Sequence, residues 1–338
     1  MESEIGKISV RAENILRILI EEHIRTGEPV GSRLISKKLG GVISPATVRN
    51  VMKDLEEIGL LWQPHTSAGR VPTASGIKYY ISHLMKPEKL TFQERDAIEQ
   101  VFLGEFTDLL QLLEGVGKIL AALSNEIGLI VAPRGEELIL HKLEFIPITS
   151  NRIVIVLITR SGLTRSLVME FNDIDTRKLE ELGERVNQRL SGLTFSEIKR
   201  EIKLRLADLK KLYGNFTSKL IQSAEEIFKL EDEITAIFGR ENILEKPEFA
   251  DQKQLGQVMS ACESEEILLK CLSSITGENV EIIVSPPQLK DIGMVVSKYP
   301  LGSGEGILGI IGPTRMNYSR LIELVSYTAR KMATLWKP

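Results

Sequence analysis

Ser44-Pro45-Ala46-Thr47-Val48-Arg49-Asn50-Val51-Met52-Lys53-Asp54-Leu55-Glu56-Glu57-Ile58-Gly59 is the stretch on which the reading of the chain turns. Ser44 is a residue type that caps helix starts. Pro45 suits the first helical position, where a backbone N–H would have no partner in any case. Gly59 provides a stop. Val48, Val51, Met52, Leu55 and Ile58 recur at three- and four-residue intervals and form one apolar stripe, which leaves Thr47, Arg49, Asn50 and Lys53 on the opposite side. In a major groove, arginine can make a bidentate contact to guanine and asparagine to adenine, while Lys53 and the helix start at Ser44 suit phosphate. An ordinary solvated helix face has the same composition, and from this helix alone that plainer reading is preferred.

The flanking residues shift the balance. Upstream, Val10, Ile15, Ile18, Leu19 and Ile24 mark a helix that stops at Gly27 and Pro29, and Ser32 is read as the cap of a short helix through Leu39, closed by Gly40-Gly41. Three short helices with tight turns fit a helix-turn-helix core. Downstream, Leu60-Leu61-Trp62-Gln63 reads as a strand, Pro64-His65-Thr66-Ser67-Ala68-Gly69 as a turn, and Arg70-Val71 as the returning strand. A hairpin directly after a recognition helix is a wing, and His65, Thr66, Ser67 and Arg70 become candidates for phosphate or minor-groove contact. Charge is distributed accordingly. The whole chain of 338 residues carries net −3, but residues 1–87 hold 12 Lys and Arg against 9 Asp and Glu. Between residues 32 and 86, Arg33, Lys37, Lys38, Arg49, Lys53, Arg70, Lys78 and Lys86 face only Asp54, Glu56 and Glu57. A cationic module on an acidic body suits a polyanion partner. Helix, wing and charge together favour double-stranded DNA.

Other function classes find little support. Cys262 and Cys271 are nine positions apart in a helical-looking segment, without the spacing of a zinc knuckle, and only His141 lies outside the first quarter of the chain. No G-x-S-x-G elbow, Walker ending or metal spacing is present, so no enzyme, metal or cofactor is expected. Gly302-Ser303-Gly304-Glu305-Gly306 precedes a strand instead of opening a helix, and is read as a turn. The longest apolar run, Ile153 to Ile158, is strand-sized, and the start, Met1-Glu2-Ser3-Glu4, is acidic where a secretory signal is basic. A cytoplasmic protein without membrane contact is expected.

The remainder reads as α+β. After a charged linker at 88–104 comes an amphipathic helix with Phe106, Leu109, Leu110, Leu113, Val116, Leu120 and Leu123. Strands are expected at 129–132, 138–146, 152–159 and 164–170, then a helix through Leu179, Leu182, Val186 and Leu190. Further strands at 280–285, 292–298 and 306–311 precede a last helix from Asn317 towards Trp336. This is a sheet domain, 105–192 and 251–338, split by a mainly helical insert at 193–250. In the insert, Phe195, Ile198, Ile202, Leu206, Leu209 and Leu212 form one stripe; after Gly214, Phe216, Leu220, Ala224, Ile227 and Phe228 form another. A symmetric partner would cover both, which makes Phe195, Ile198, Ile202, Leu206, Phe216, Leu220 and Ile227 candidates for a dimer interface; packing back onto the chain's own body fits the pattern as well.

Ser44 to Met52 with Leu55-Glu56 and Gly59, then Pro64 to Thr73, Pro247-Glu248-Phe249, and Gly309 to Tyr318 closely resemble the signature blocks of the HrcA family of heat-inducible transcription repressors. The resemblance spans nearly the whole chain. It implies an N-terminal winged helix-turn-helix, a GAF-like sheet domain split by an inserted dimerisation domain, and a homodimer that represses heat-shock chaperone operons at an inverted-repeat (CIRCE) operator. It also implies dependence of the active form on the GroEL chaperonin. The alternative is a metabolite-responsive DNA-binding regulator with its ligand in the GAF-like domain.

Overall fold

In the computed structural model the described residues are 8–335 apart from 67, 105–108, 133–134, 150, 172–175, 230–234, 245, 250–251, 278 and 302–303. The chain opens with helices α1 (Val10–Thr26), α2 (Ser32–Lys38) and α3 (Pro45–Glu57), then strands β1 (Leu61–Trp62) and β2 (Val71–Pro72) and helix α4 (Ala74–Tyr79), which runs into a π turn, Tyr80–Leu84. Ile15, Leu16, Leu19 and Ile20 of α1 and Val48, Met52 and Leu55 of α3 are buried together with Ile35, Leu60 and Leu61. Two apolar positions of the sequence stripes fall outside this core: Val10 is 73% exposed and Ile58 47%. Ser32 is not the cap of α2 but its first helical residue, because Gly31 holds the extended conformation that precedes the helix and no side chain caps it.

Beyond this head come α5 (Phe92–Leu103), α6 (Leu109–Ser124), β3 (Ile127–Val131), β4 (Leu140–Thr149), β5 (Arg152–Thr159), β6 (Thr164–Glu170), α7 (Thr176–Leu190), α8 (Phe195–Arg205), α9 (Ala207–Gln222) and α10 (Ala224–Ile227). The chain ends with β7 (Thr235–Phe238), α11 (Glu241–Leu244), α12 (Gln252–Glu263), α13 (Glu265–Leu272), β8 (Glu281–Val284), β9 (Ile292–Leu301), β10 (Gly304–Pro313) and α14 (Tyr318–Leu335). The stretch expected as a linker, 88–104, is mostly helix. Thr91 and Glu94 form a reciprocal capping box at the start of α5, and Leu90 and Ile98 are buried. Phe106, expected on the next helix, lies outside the described residues, as does Trp336.

The strands form two larger sheets, both antiparallel. One runs β7-β3-β10-β9-β8 and the other β4-β5-β6. The first is covered on both faces, and alternation sorts its residues. Ile130, Val295, Leu308 and Ile310 face the core shared with α6 and α14. Ile127, Leu129, Met294 and Val296 face a second core with Phe249, Val258, Cys262, Leu268 and Cys271 from the α11–α13 side. Strands β9 and β10 pair on either side of Gly302 and Ser303, which are outside the described residues.

Two expectations about the middle of the chain are corrected here. β7 lies inside the stretch read as a helical insert, yet pairs with β3 in the five-stranded sheet. Strands β4, β5 and β6, placed with β3 in one sheet domain on sequence, form a sheet of their own with α7 packed on one face. Moreover, Phe195, Ile198, Ile202, Leu206, Leu220 and Ile227 are each at most 1% exposed within the single chain, and Phe216 is partly buried, its ring stacked on Phe171. These side chains close onto α7 and onto one another, with Phe216 also edge-on to Phe145 of β4, so they are not a free face; of the first stripe only Leu212, 62% exposed, points away. The break expected at Gly214 is present as non-helical backbone within α9.

Candidate DNA interface

Ser44 caps α3 with its side chain: Thr47 N donates to Ser44 Oγ at 3.1 Å, and the two hydroxyls are 2.9 Å apart. The helix is thereby fixed at its start, and its first turn carries no acidic residue. With Val48, Met52 and Leu55 turned into the core, Arg49, Asn50 and Lys53 are exposed and Thr47 is half-buried. Lys53 lies 3.5 Å from Glu57 one turn on, an exposed pair that costs little to open. The sequence-predicted residues of α3 thus occupy one accessible face.

The wing is built as expected, with Leu61 opposite Pro72 and Trp62 opposite Val71, and it gains a third member. Val30, ahead of α2, exchanges both backbone hydrogen bonds with Arg70 at 2.9 Å. Gln63 Nε2 donates to the carbonyls of Thr66 and Ala68 at 2.9 and 3.0 Å and so holds the tip together. His65 and Thr66 are exposed; Ser67 lies outside the described residues. Arg70 is placed differently from the rest. Its Nε donates to Glu56 Oε2 at 2.8 Å and its side chain is 15% exposed, so it ties the wing to α3 instead of reaching outwards.

Between α2, α3 and the wing lies a cleft of about 530 Å³ lined by Arg33, Arg49, Gln63, Thr66 and Arg70 among others. Arg33 and Gln63 were not among the sequence candidates. Arg33 lies on α2, ahead of α3, and only the fold brings it beside Arg49; Gln63 acts through the backbone of the tip, which no residue-type signal reveals. Lys38, by contrast, is occupied. It pairs with Glu22, which also takes Arg25. Hydrogen bonds from Arg25 and Lys38 hold the Glu22 carboxyl down to about 2. Glu22 itself is only 2% exposed, whereas the Arg25 and Lys38 side chains that pair with it are 67% and 45% exposed. A cleft faced by Arg33 and Arg49, with the exposed Asn50 and Lys53 alongside, can accept a polyanion and read base edges. Among the described residues no group of His, Cys, Asp and Glu could hold a metal ion, and no helix is long and apolar enough to cross a membrane.

A family model described as the HrcA protein C-terminal domain matches residues 110–322. A heat-inducible transcription repressor HrcA of Syntrophobacter fumaroxidans is 33% identical over 341 residues, covering 98% of each chain. Another of Geobacter sulfurreducens is 34% identical over 337 residues, 97% of this chain and 98% of that one. A crystal structure of a hypothetical protein at 2.2 Å resolution shares the fold, with TM-score 0.64 at 23% identity over 97% of this chain and 98% of that one. The chain therefore belongs to the HrcA family, whose members are heat-inducible transcription repressors and not enzymes.

Proposed function

We propose that the protein is a homodimeric repressor of heat-shock chaperone operons that binds an inverted-repeat (CIRCE) operator through α3 and the wing. The observation that carries this reading is the exposed face of Arg49, Asn50 and Lys53 beside the cleft that also holds Arg33. Two heads related by a twofold axis meet two half-sites in successive major grooves, about 34 Å apart or a multiple of that. The five-stranded sheet with its covering helices is assigned to the GAF-like domain. The chain between β3 and β7 is assigned to the inserted dimerisation domain.

With the helical stripes buried, the surface we assign to a second copy is the outer face of β4-β5-β6. Ile146, Val154 and Val168 stand directly opposite one another across the three strands, with Val156 and Ile158 in the next rows. Ile146, Ile148 and Val168 are 47%, 54% and 63% exposed. The Lys142–Glu144 and Arg152–Glu170 pairs, at 2.7 and 2.8 Å, flank this apolar centre. Each rim carries both signs, so a twofold-related copy can be met with opposite charges. Dependence of the active form on the GroEL chaperonin is proposed from the family resemblance. Supply of folded dimer would then set operator occupancy, since dimerisation makes occupancy depend on protein concentration.

The experiment is a gel shift of the purified chain against a duplex carrying the inverted repeat of a chaperone promoter, with a scrambled repeat as control and salt varied. Selective, salt-sensitive retention of the repeat is expected; equal retention of both duplexes refutes the reading. Refolding with and without GroEL, scored by operator binding per mole of chain, tests the chaperonin clause.

A further inference from the structure

The DNA interface leaves unused two of the sequence blocks picked out above, Pro247-Glu248-Phe249 and Gly309 to Tyr318. In the fold they meet. Arg315, in the turn between β10 and α14, donates from Nη2 to Glu248 Oε2 at 3.1 Å and from Nη1 to the carbonyl of Ile24 at 3.2 Å. One guanidinium fork therefore grips the body with one arm and the last turn of α1, in the DNA-binding head, with the other.

The acceptor on the head is a group with a vacancy of its own kind. Ile24 contributes one of the last four carbonyls of α1, which no later residue of the helix can reach, and a cation there also meets the negative end of the helix dipole. Gly27 caps α1 in the left-handed region with φ 74°, and a Cβ at this position would lie 3.4 Å from the Arg315 guanidinium carbon. The acceptor on the body is equally well held. Glu248 belongs to a short 3-10 turn whose Phe249 is 3% exposed in the core beneath the five-stranded sheet. Next to it, Lys246 pairs at 2.8 Å with Glu126, itself 6% exposed.

A second strap starts four residues further along. Glu88 N donates to the Ser319 carbonyl at 3.0 Å, and the Glu88 carboxylate accepts from Asn317 and Ser319 at 3.4 and 3.5 Å. A single attachment leaves a pivot. Two attachments, one at the end of α1 and one on the connector after the π turn, fix the rotation of the head on the body.

We propose that Arg315, held by Glu248, is a positioning residue for operator binding: it sets the orientation of each head and so the half-site spacing that the dimer reads. This rests on the two-headed reading under Proposed function. A head free to rotate still binds one half-site, but the second binding event loses the effective concentration that a correctly aimed partner supplies.

The test uses the full chain, Arg315→Met, Arg315→Lys and Glu248→Gln, titrated by fluorescence anisotropy against three duplexes: the inverted repeat, the same repeat with half a turn (about 5 bp) added to its spacer, and a single half-site. The wild-type chain is expected to prefer the native spacing over the lengthened one by at least about ten-fold, Arg315→Met by less than about three-fold, with half-site affinity unchanged within about two-fold. Arg315→Lys, which keeps the charge but loses the fork, should fall between them. Retention of the wild-type preference in Arg315→Met overturns the inference, and so does a parallel loss on the half-site, which would indicate damage to the head itself. Should Arg315→Met melt early, the isosteric Glu248→Gln decides: a folded Glu248→Gln with the full wild-type spacing preference equally overturns it. Failure of the wild-type chain to prefer the repeat over a scrambled duplex refutes the repressor reading instead, so the two failures are distinguishable.

Discussion

Arg49 and Lys53 lie one turn apart on the same face of α3, and their removal should produce different defects. A bidentate base contact by Arg49 predicts that Arg49→Ala costs about 1–3 kcal/mol on the preferred operator and relaxes base preference at one position. Equal losses on every duplex would contradict that role. Lys53 as a phosphate contact predicts that Lys53→Ala weakens all duplexes alike and flattens the slope of log affinity against log salt by about 0.9. Arg70 belongs to a different class, because its guanidinium is held by Glu56. Arg70→Ala and Glu56→Ala should lower operator affinity to similar extents, and the double variant should be no worse than either, a non-additivity readable in a double-mutant cycle. The charge of Arg70 was legible in the sequence, but its partner 14 positions upstream was not, because that pairing exists only once the wing folds back on α3. Glu22 supplies a pH dependence. Its carboxyl is held at about 2 by Arg25 and Lys38, against an ordinary value of 4.5. The stabilisation is therefore complete above the ordinary value and is lost as pH falls towards the folded value. The difference in melting temperature between the wild-type chain and Glu22→Gln should shrink between about pH 5 and pH 2.

At the scale of elements, Gly76 shows how a contact overrides a propensity. It lies within α4, where alanine ordinarily improves a helix by about 1 kcal/mol. A Cβ at Gly76, however, would stand 2.1 Å from the Leu60 carbonyl oxygen, a backbone atom next to β1 that cannot move aside alone. Gly76→Ala is expected to destabilise the chain by about 1–3 kcal/mol, read as a lower urea midpoint. The elements with strong periodicity or caps were legible beforehand: α1, α3, β5 and β6 lie where alternation and turn residues put them. Those missed have weaker local signals. β7 is four residues long, too short for alternation to show, and becomes a strand by pairing with β3. α5 was masked by its charge density, although Thr91-x-x-Glu94 is a capping box that could have marked its start. The assignment of β4–β6 to their own sheet was likewise not readable, since strand pairing is decided by partners distant in the sequence.

For the whole molecule, the open face of β4-β5-β6 sets the expectation for assembly. Val156 is half-buried on the outer side of the central strand, and Val156→Glu should yield a folded monomer by sedimentation with little change in melting temperature. Its affinity for the full inverted repeat should fall by at least about a hundred-fold while half-site affinity persists; a variant that remains dimeric places the interface elsewhere. The α+β fold class was legible from the order of apolar runs, but the pairing of β7 with β3 was not, because it depends on which strands are neighbours. That neighbourhood has a further consequence. The end of β3 and the start of β7 are paired, Val131 opposite Thr235, so residues 132–234 depart from and return to a single point on one sheet edge. A turn of a few residues could bridge that gap without disturbing the strands on either side. The intervening cassette can thus be lengthened, exchanged or grafted elsewhere at small entropic cost to its host.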